Sequence, residues 1–222
     1  MDIKKNIKGL LKSLEGSQSE LVAISKTKPT SAIVEAYEAG LRDFGENRVQ
    51  ELVDKHPLLP DDIRWHMVGH LQRNKVKFIA PFVYLIHSVD SLKLLGEIDK
   101  QGENYHRIIN CLLQVHIAEE EQKFGFIAQE LNQFLQNDEL KNRNHIKVIG
   151  LMGMATFSED LEKVRVEFRN LKTLFDQLKS KYTSSNVDFK VLSMGMTGDY
   201  PVAIEEGSTM IRVGTAIFGT RY

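Results

Sequence analysis

Eight short apolar runs alternate with helix-like segments along this chain of 222 residues. Each run is bounded by turn signals, which is typical of strands buried on both faces. The runs cover residues 21–28, 43–48, 64–69, 83–89, 108–117, 146–154, 189–194 and 210–213. Their spacing of roughly 20 to 30 residues predicts a parallel sheet with right-handed crossovers. Eight such units favour an α/β protein closed into a single (β/α)8 barrel, a TIM barrel, over an open doubly wound sheet.

The helical patterns are clearest at the amino terminus and after the sixth run. Ile3, Ile7 and Leu10 share one face with basic residues between them, which predicts an amphipathic helix over about residues 2–15. Apolar residues recur at three- and four-residue steps over 161–178, and Ser158 is placed to cap that helix. No linker, low-complexity tract or composition shift interrupts the chain, so residues 1–222 are predicted to form one domain.

Charge and cysteine content narrow the class of protein. The chain has 29 basic and 30 acidic residues, spread along its length, and this balance disfavours nucleic-acid binding. No apolar run approaches a membrane span, and the amino-terminal helix lacks the continuous apolar core of a signal peptide, so a cytoplasmic protein without membrane contact is predicted. The single Cys111 offers no zinc spacing, and His66 and His70 straddle a glycine. No metal site is therefore predicted.

Lys26 lies where the first apolar run meets its loop. The segment reads LVAISKTKP, and Pro29 disfavours helix at Lys28, so the strand is predicted to end around residues 26–28. The carboxyl ends of strands bind ligands in parallel α/β proteins. A partly desolvated amine there is suited to forming a Schiff base. A lysine that only extends its amine to solvent at a strand end is the alternative interpretation, and Lys28 is the rival candidate.

The loops after the last two strands carry small residues suited to binding an anion. Ser193 precedes Gly195 in the first loop, and Gly214 and Thr215 begin the second. Glycine lets the backbone approach a ligand closely, and amides at the start of a helical turn point outward as donors. Phosphate binding between the last two strands recurs in barrels, so Ser193, Gly214 and Thr215 are predicted phosphate ligands. Tight turns alone would also explain these residues.

Arg212 stands inside the apolar strand MIRV. A guanidinium there must find an acceptor, so it is predicted to face the barrel mouth rather than the helices. A fixed cation beside a heterocyclic nitrogen would keep that nitrogen unprotonated. Together with Lys26 and the anion site, Arg212 describes a phosphorylated aldehyde cofactor.

Six motifs give the chain a family resemblance. They are LVAISKTKP (21–29), FGENRVQE (44–51), WHMVGHLQRNK (65–75), GLMGMA (150–155), LSMGMTGDY (192–200) and AIEEGSTMIRVGTAIFG (203–219). In this order they resemble the pyridoxal phosphate homeostasis proteins, and the resemblance covers nearly the whole chain. That family is a single barrel similar to the amino-terminal domain of alanine racemase, the third fold type of pyridoxal-phosphate proteins.

The resemblance implies roles for individual residues. It implies that Lys26 carries pyridoxal 5'-phosphate as a Schiff base and that Arg212 faces the pyridine nitrogen. It also implies that Ser193, Gly214 and Thr215 hold the phosphate and that Asn47 lines the ring pocket. Two positions depart from the family pattern, with His116 in place of a usual asparagine and Gly153 in place of a common threonine.

Two other polar residues near the predicted mouth of the barrel, His66 and Glu46, each have two interpretations. His66 alternates with Trp65 and Met67, so it can point into the barrel near the cofactor ring and is included as a cofactor-binding candidate. A hydrogen-bonded core histidine is the alternative. Glu46 is either an acid–base group or a first-turn helix glutamate.

The leading functional hypothesis is a non-enzymatic protein of vitamin B6 homeostasis. Racemisation needs two positioned bases, and no second base opposite Lys26 is identified. The protein is therefore predicted to hold pyridoxal phosphate as a carrier or buffer, with apo-enzymes that use this cofactor as candidate recipients, and to act as a monomer. Two alternatives stay open: a pyridoxal-phosphate-dependent racemase or lyase with Lys26 as base, and a Schiff-base aldolase.

Overall fold

Eight parallel strands form a closed barrel in the computed structural model, which describes residues 2–118, 125–136, 140 and 142–220. With one short antiparallel strand, β7, the described strands are β1 Glu20–Ile24, β2 Asp43–Glu46, β3 Arg64–Met67, β4 Leu85–Val89, β5 Ile109–Val115, β6 Ile146–Gly153, β7 Thr183–Ser184, β8 Val187–Ser193 and β9 Met210–Val213. Strand β1 lies between β2 and β9, and the pairing of β6 with β8 closes the ring. The predicted barrel is confirmed.

The ninth strand, β7, is an addition that the apolar pattern did not predict. Its two residues are exposed and pair antiparallel with the start of β8, with Ser184 opposite Val187. They form a short hairpin after the long helix that ends at residue 181, and they are not one of the strands of the barrel. A strand of two exposed polar residues has no hydrophobic alternation from which it could be predicted.

Helices connect the strands and cover the outside of the barrel. They are α1 Ile3–Ser13, α2 Thr30–Glu38, α3 Val49–Lys55, α4 Val76–Ile79, α5 Leu92–Asn104, α6 Ala128–Gln136, α7 Leu161–Lys181, α8 Tyr200–Glu205 and α9 Thr215–Phe218. Two 3-10 turns, His56–Leu58 and Arg73–Lys75, complete the described elements. Across the described part of the chain, every helix is too short or too polar to cross a bilayer.

The amino-terminal helix forms as its pattern indicates. Asp2 caps it by accepting a hydrogen bond from the Lys5 amide at 2.8 Å. Ile3, Ile7 and Leu10 are buried, and the helix packs against α2 and α9. The amide of Asn6 donates to the Ile217 carbonyl at 3.0 Å, which ties the first helix to the last.

The hydrophobic core has two parts. The larger part lies between the strands and the surrounding helices. The smaller part fills the inside of the barrel and contains Val22, Leu85, Leu112, Met152 and Met210. Successive strand residues face opposite sides, so inward positions alternate with those under the helices. Several buried strand residues are polar instead, among them Asp43, His66, His87, Ser193 and Arg212.

Among the boundaries that differ from the predicted ones, two have an evident local cause. Strand β1 ends at Ile24, because the Lys28 amide donates to the Ser25 carbonyl at 3.0 Å and Thr27 has a φ of 64°. Lys26 therefore lies in a tight turn and not on the strand. Helix α7 is capped by Asp160, which accepts from two first-turn amides, whereas the Ser158 hydroxyl accepts from the Asp160 amide.

Candidate functional site

A cavity of about 550 Å³ opens at the carboxyl ends of the barrel strands. Its walls come from the segments that follow β1, β2, β3, β6, β8 and β9. Five of the residues singled out in the sequence line it together: Lys26, Asn47, Arg212, Gly214 and Thr215. They are separated by up to 189 positions in the chain, from 26 to 215, and the closed barrel brings them to one opening. Such a cavity is of the size that holds a small ligand or cofactor.

The turn that carries Lys26 is held on both sides of that residue. The Ser25 hydroxyl donates to Glu46 Oε1 at 2.6 Å, and the Thr27 amide donates to Glu51 Oε2 at 2.6 Å. Thr27 adopts the left-handed conformation, which costs a non-glycine residue about 1 kcal/mol or more. These bonds fix a strained turn, so the backbone of Lys26 has a defined position at the cavity wall.

A buried ion cluster lies behind this turn. Lys55 Nζ is 2.7 Å from Glu46 Oε1 and 2.9 Å from Glu51 Oε2, and it donates to the Ser25 carbonyl at 3.0 Å. The Glu46 side chain is fully buried, and burial raises its pKa above the ordinary value despite hydrogen bonds from Lys55 and Ser25. The structure therefore places Glu46 at the end of β2, where it holds the turn, and not in the first turn of a helix.

Arg212 enters the cavity from the inside of the barrel. Arg212 is only 4% exposed, and its guanidinium donates to Ser193 Oγ at 2.6 Å and to the Gly153 carbonyl at 3.0 Å. Burial lowers the pKa of Arg212 to about 10, which still leaves it protonated at neutral pH. The remaining N–H groups of this five-donor side chain can donate into the cavity that it lines.

The packing around Gly153 explains why glycine stands where the resembled family commonly has threonine. A Cβ at this position would lie 2.5 Å from Leu171 Cδ2 and 2.9 Å from Ile117 Cδ1. Helix α7 and the segment after β5 thus approach the strand so closely that a threonine would need both side chains to move. The Gly153 carbonyl, in return, is one of the two acceptors that hold Arg212.

The predicted anion site is a turn at the start of α9. Gly214 is the residue before this helix, and its carbonyl accepts from the amides of Ile217 and Phe218 at 2.9 Å each. The amides of Thr215 and Ala216 belong to the first turn, where a helix offers them no acceptor of its own. A Cβ on Gly214 would lie 3.0 Å from the Ile24 carbonyl, so glycine allows this turn to sit close to β1.

Ser193 and His66 lie deeper than the other predicted residues. Both are fully buried, and neither is among the described residues that line the cavity. Ser193 Oγ is within hydrogen-bond distance of Arg212 and of His87 Nδ1, the latter at 3.1 Å. His66 contacts His87 at 2.9 Å and Asp43 at 3.0 Å. His66 thus points into the barrel, as expected, but its ring is bonded to protein groups, and a direct contact with a cofactor stays a prediction.

Other residues at the cavity were not singled out from the sequence. Gln114, Met154, Thr156 and Asp199 also line it. Their only signal is position, because each lies at the end of a strand or in the loop that follows it. Among the described residues, no group of three or more His, Cys, Asp and Glu side chains is arranged to hold a metal ion.

Comparison with known proteins agrees with the fold. The family model of the alanine racemase N-terminal domain matches residues 2–222. The Streptomyces lavendulae alanine racemase superposes with a TM-score of 0.76 over 99% of this chain and 57% of its own, at 14% identity, which shows the fold alone. Fold and cavity together therefore define a class, the barrel proteins of the alanine racemase N-terminal type.

Closer relatives identify the family within that class. A pyridoxal phosphate homeostasis protein of Aquifex aeolicus is 42% identical over 205 residues, which are 91% of this chain and 87% of the relative. PipY of Synechococcus elongatus, solved with and without pyridoxal phosphate (PLP) bound, superposes with TM-scores of 0.87 and 0.90 at 34% and 35% identity. Each superposition covers 98% of this chain and 100% of PipY. The chain belongs to the pyridoxal phosphate homeostasis protein family.

The cavity fits this cofactor by the chemistry of its lining. Asn47 Oδ1 is buried and has no hydrogen-bond partner among the described residues, although buried polar atoms are normally bonded. An orphaned acceptor in a cavity wall is consistent with a ligand that completes it. Lys26 adds an amine, Arg212 a fixed cation, and the turn at Gly214 outward amides. One amine, one cation and one anion-binding turn suit a phosphorylated aromatic aldehyde.

Proposed function

We propose that this protein binds pyridoxal 5'-phosphate in the cavity and serves vitamin B6 homeostasis as a carrier or buffer. The observation that carries the proposal is the convergence of Lys26, Arg212 and the Gly214–Thr215 turn on one cavity. The names of the relatives and the bound ligand of PipY support the same cofactor.

Each group of the cavity has a defined task in this proposal. Pyridoxal phosphate supplies an aldehyde that condenses with amines. The amine of Lys26 is the attachment point, since the bonds at Ser25 and Thr27 hold its turn in place. The first-turn amides of α9 and the Thr215 hydroxyl bind the phosphate, and Asn47 contacts the ring substituents. Ser193, predicted as a phosphate ligand, is instead proposed to hold Arg212 in place, because the bonds to Arg212 and His87 engage its hydroxyl.

Arg212 favours holding the cofactor over using it in amino-acid chemistry. Its guanidinium stays protonated at neutral pH and has donors but no acceptor, so it cannot share a proton with a ring nitrogen. A ring nitrogen beside it stays unprotonated, which weakens the electron sink on which most reactions of this cofactor depend. We therefore propose a protein without amino-acid turnover. The proposal extends to a cytoplasmic monomer that passes the cofactor to apo-enzymes.

An absorption titration tests cofactor binding. Purified protein incubated with pyridoxal phosphate and dialysed should keep a near-visible band that borohydride bleaches. Peptide mapping of the reduced protein should find the added mass on Lys26. A protein that stays colourless under these conditions would contradict the proposal and favour the aldolase alternative.

An amino-acid screen separates carrier from enzyme. The loaded protein is incubated with small L- and D-amino acids, and racemised, decarboxylated or cleaved products are measured by chromatography. We expect no saturable turnover at neutral pH. Robust turnover that is lost in Lys26→Ala would show instead that the protein is a racemase or lyase with Lys26 as base.

A further inference from the structure

A continuous chain of buried side chains crosses the inside of the barrel. Starting at the cavity, Arg212 contacts Ser193, Ser193 contacts His87, His87 contacts His66, and His66 contacts Asp43, at 2.6, 3.1, 2.9 and 3.0 Å. The five residues come from β9, β8, β4, β3 and β2. Each of them is 9% exposed or less. This hydrogen-bond chain therefore links the cavity to a buried carboxylate at the start of β2 without passing through solvent.

The cavity end of the chain fixes the direction of its first hydrogen bonds. A guanidinium can only donate, so Ser193 Oγ accepts from Arg212. The hydroxyl proton of Ser193 is then directed to His87 Nδ1, its other partner. Among the described residues, His87 Nδ1 is the acceptor within reach of that proton, so we assign His87 Nδ1 as the unprotonated nitrogen, and a neutral His87 then carries its proton on Nε2.

The same logic continues to the far end. His87 Nε2 donates to His66 Nδ1, so His66 also carries its proton on Nε2, and that nitrogen donates to Asp43 Oδ1. Asp43 is a good terminal acceptor, because Arg64 donates to both of its oxygens. Burial opposes ionisation of Asp43, but the hydrogen bonds from Arg64 and His66 lower its pKa to about 2. Arg212 at one end of the hydrogen-bond chain and Asp43 at the other therefore favour the same arrangement, in which each histidine carries its proton on Nε2.

A second proton on His87 would break this order. Its Nδ1 would become a donor facing a hydroxyl that already accepts from a cation, and the Ser193 proton would lose its acceptor. Burial lowers the pKa of His87 well below its ordinary value, and the Arg212 cation acts in the same direction. The ring is therefore neutral, as the geometry requires.

We propose that His66 and His87, both as neutral Nε2–H tautomers, are positioning residues that transmit the orientation set by Asp43 to Ser193 and so hold Arg212 in place at the cavity. Neither ring is among the described residues that line the cavity. The two histidines orient the Ser193 hydroxyl, and Ser193 provides one of the two described acceptors of the Arg212 guanidinium. They therefore affect the direction in which the guanidinium points. Only the consequence for a bound cofactor rests on the function proposed above; the hydrogen-bond chain belongs to the protein alone.

Nitrogen NMR tests the proton order without any cofactor. The full chain is labelled with 15N-histidine, and long-range 1H–15N spectra at neutral pH distinguish protonated from unprotonated ring nitrogens. Signals are assigned by their absence in His66→Gln and His87→Gln. We expect Nδ1 unprotonated and Nε2 protonated in both rings. A proton on Nδ1 of either ring, or a doubly protonated ring, would overturn the proposal whether or not the protein binds pyridoxal phosphate.

Two substitutions at His87 then separate positioning from packing. In His87→Gln the side-chain oxygen can accept from Ser193 while the amide donates to His66, which keeps the direction of the chain. In His87→Phe the ring volume is kept but both hydrogen bonds are lost. We expect affinity for pyridoxal phosphate to fall by about tenfold or more in His87→Phe, with a shifted absorption maximum, and to be restored in His87→Gln.

The comparison is made between variants whose thermal unfolding shows that they are folded. Equal affinity and an equal spectrum in His87→Phe and the parent would mean that His87 only fills space, and the positioning role would be wrong. A parent protein that binds no pyridoxal phosphate would instead contradict the proposed function, and the NMR measurement would still decide the proton order. If His87→Phe does not fold, the NMR measurement of the proton order in the two rings decides the proposal.

Discussion

Lys55 forms a buried ion pair with Glu46, with Nζ 2.7 Å from Oε1, and the same ammonium donates to the carbonyl of Ser25. The two side chains are 11% and 0% exposed. Ser25 immediately precedes Lys26, so this pair supports the turn on which the proposed attachment point lies. The carboxylate of Glu46 has one oxygen without a partner among the described residues. Loss of Lys55 would therefore leave a poorly solvated charge behind the site.

Lys55→Met is expected to destabilise the protein by about 3 to 5 kcal/mol, because it leaves the buried Glu46 carboxylate unpaired. The free energy of unfolding is measured by urea denaturation at neutral pH. Lys4→Met is the matched control, since Lys4 pairs with Glu38 at a surface where both side chains are more than half exposed, and exposed pairs contribute about 1 kcal/mol or less. Equal losses in the two variants would show that burial of the Glu46 pair has no special cost.

Lys26→Ala is expected to abolish covalent retention of pyridoxal phosphate, whereas Lys28→Ala is expected to retain it. Both lysines line the cavity, but Lys28 Nζ donates to the Thr220 carbonyl at 3.3 Å, toward the carboxyl-terminal segment. The measurement is the mass added to the protein by borohydride reduction after incubation with pyridoxal phosphate. If Lys28→Ala removed the adduct and Lys26→Ala did not, Lys28 and not Lys26 would be the attachment point of pyridoxal phosphate.

Gly195→Ala is expected to lower the free energy of unfolding by at least about 1 to 2 kcal/mol, because Gly195 has a φ of 96° and a Cβ would lie 2.6 Å from Ala203 Cβ. Gly198, in the same loop, provides the control: it lacks such a φ, and a Cβ there would meet no described atom within 4 Å. Thermal or urea unfolding of the two alanine variants should therefore differ clearly. Because the Arg212 amide donates to the Gly195 carbonyl, Gly195→Ala should also weaken cofactor binding.

The barrel could be predicted from the sequence because its signal is periodic and repeated. Eight apolar runs and the helices between them follow from side-chain burial, which tertiary contacts reinforce. The end of β1 could not be placed to the residue, since the left-handed φ of Thr27 depends on its bond to Glu51, 24 positions away. The cap of α7 was misplaced for a similar reason. Ser158 and Asp160 both suit a cap, and only the path of the loop selects Asp160.

Part of the site could be predicted from the sequence, because its residues follow predicted strands. Lys26, Asn47 and Arg212 line one cavity because each lies at the carboxyl end of a parallel strand. Which way an inward side chain reaches could not be predicted, since it depends on strand tilt and register, and the pairing of β4 with β5 and of β5 with β6 shifts along the strands. The hydroxyl of Ser193 contacts Arg212 and His87, and its predicted contact with the phosphate stays a prediction.

The stability of the protein should depend on pH through Asp43. Its pKa in the folded protein is about 2, below the value of 3.8 for a free side chain, since the hydrogen bonds from Arg64 and His66 outweigh the effect of burial. A depressed folded-state pKa contributes stability above the unfolded pKa, and that contribution is lost as the pH falls through the folded one. From this shift we expect about 2 kcal/mol, present above pH 4 and lost toward pH 2.

Asp43→Asn isolates this contribution, because all other carboxyl groups remain in the variant. The difference in free energy of unfolding between the parent and Asp43→Asn is measured by urea denaturation from pH 6 down to the lowest pH at which both fold. The parent should be more stable at pH 6, and its advantage should shrink as the pH falls below 4. A difference that stays constant over this range would mean that the Asp43 carboxylate is not stabilised by Arg64 and His66, and the far end of the hydrogen-bond chain would then lack its fixed acceptor.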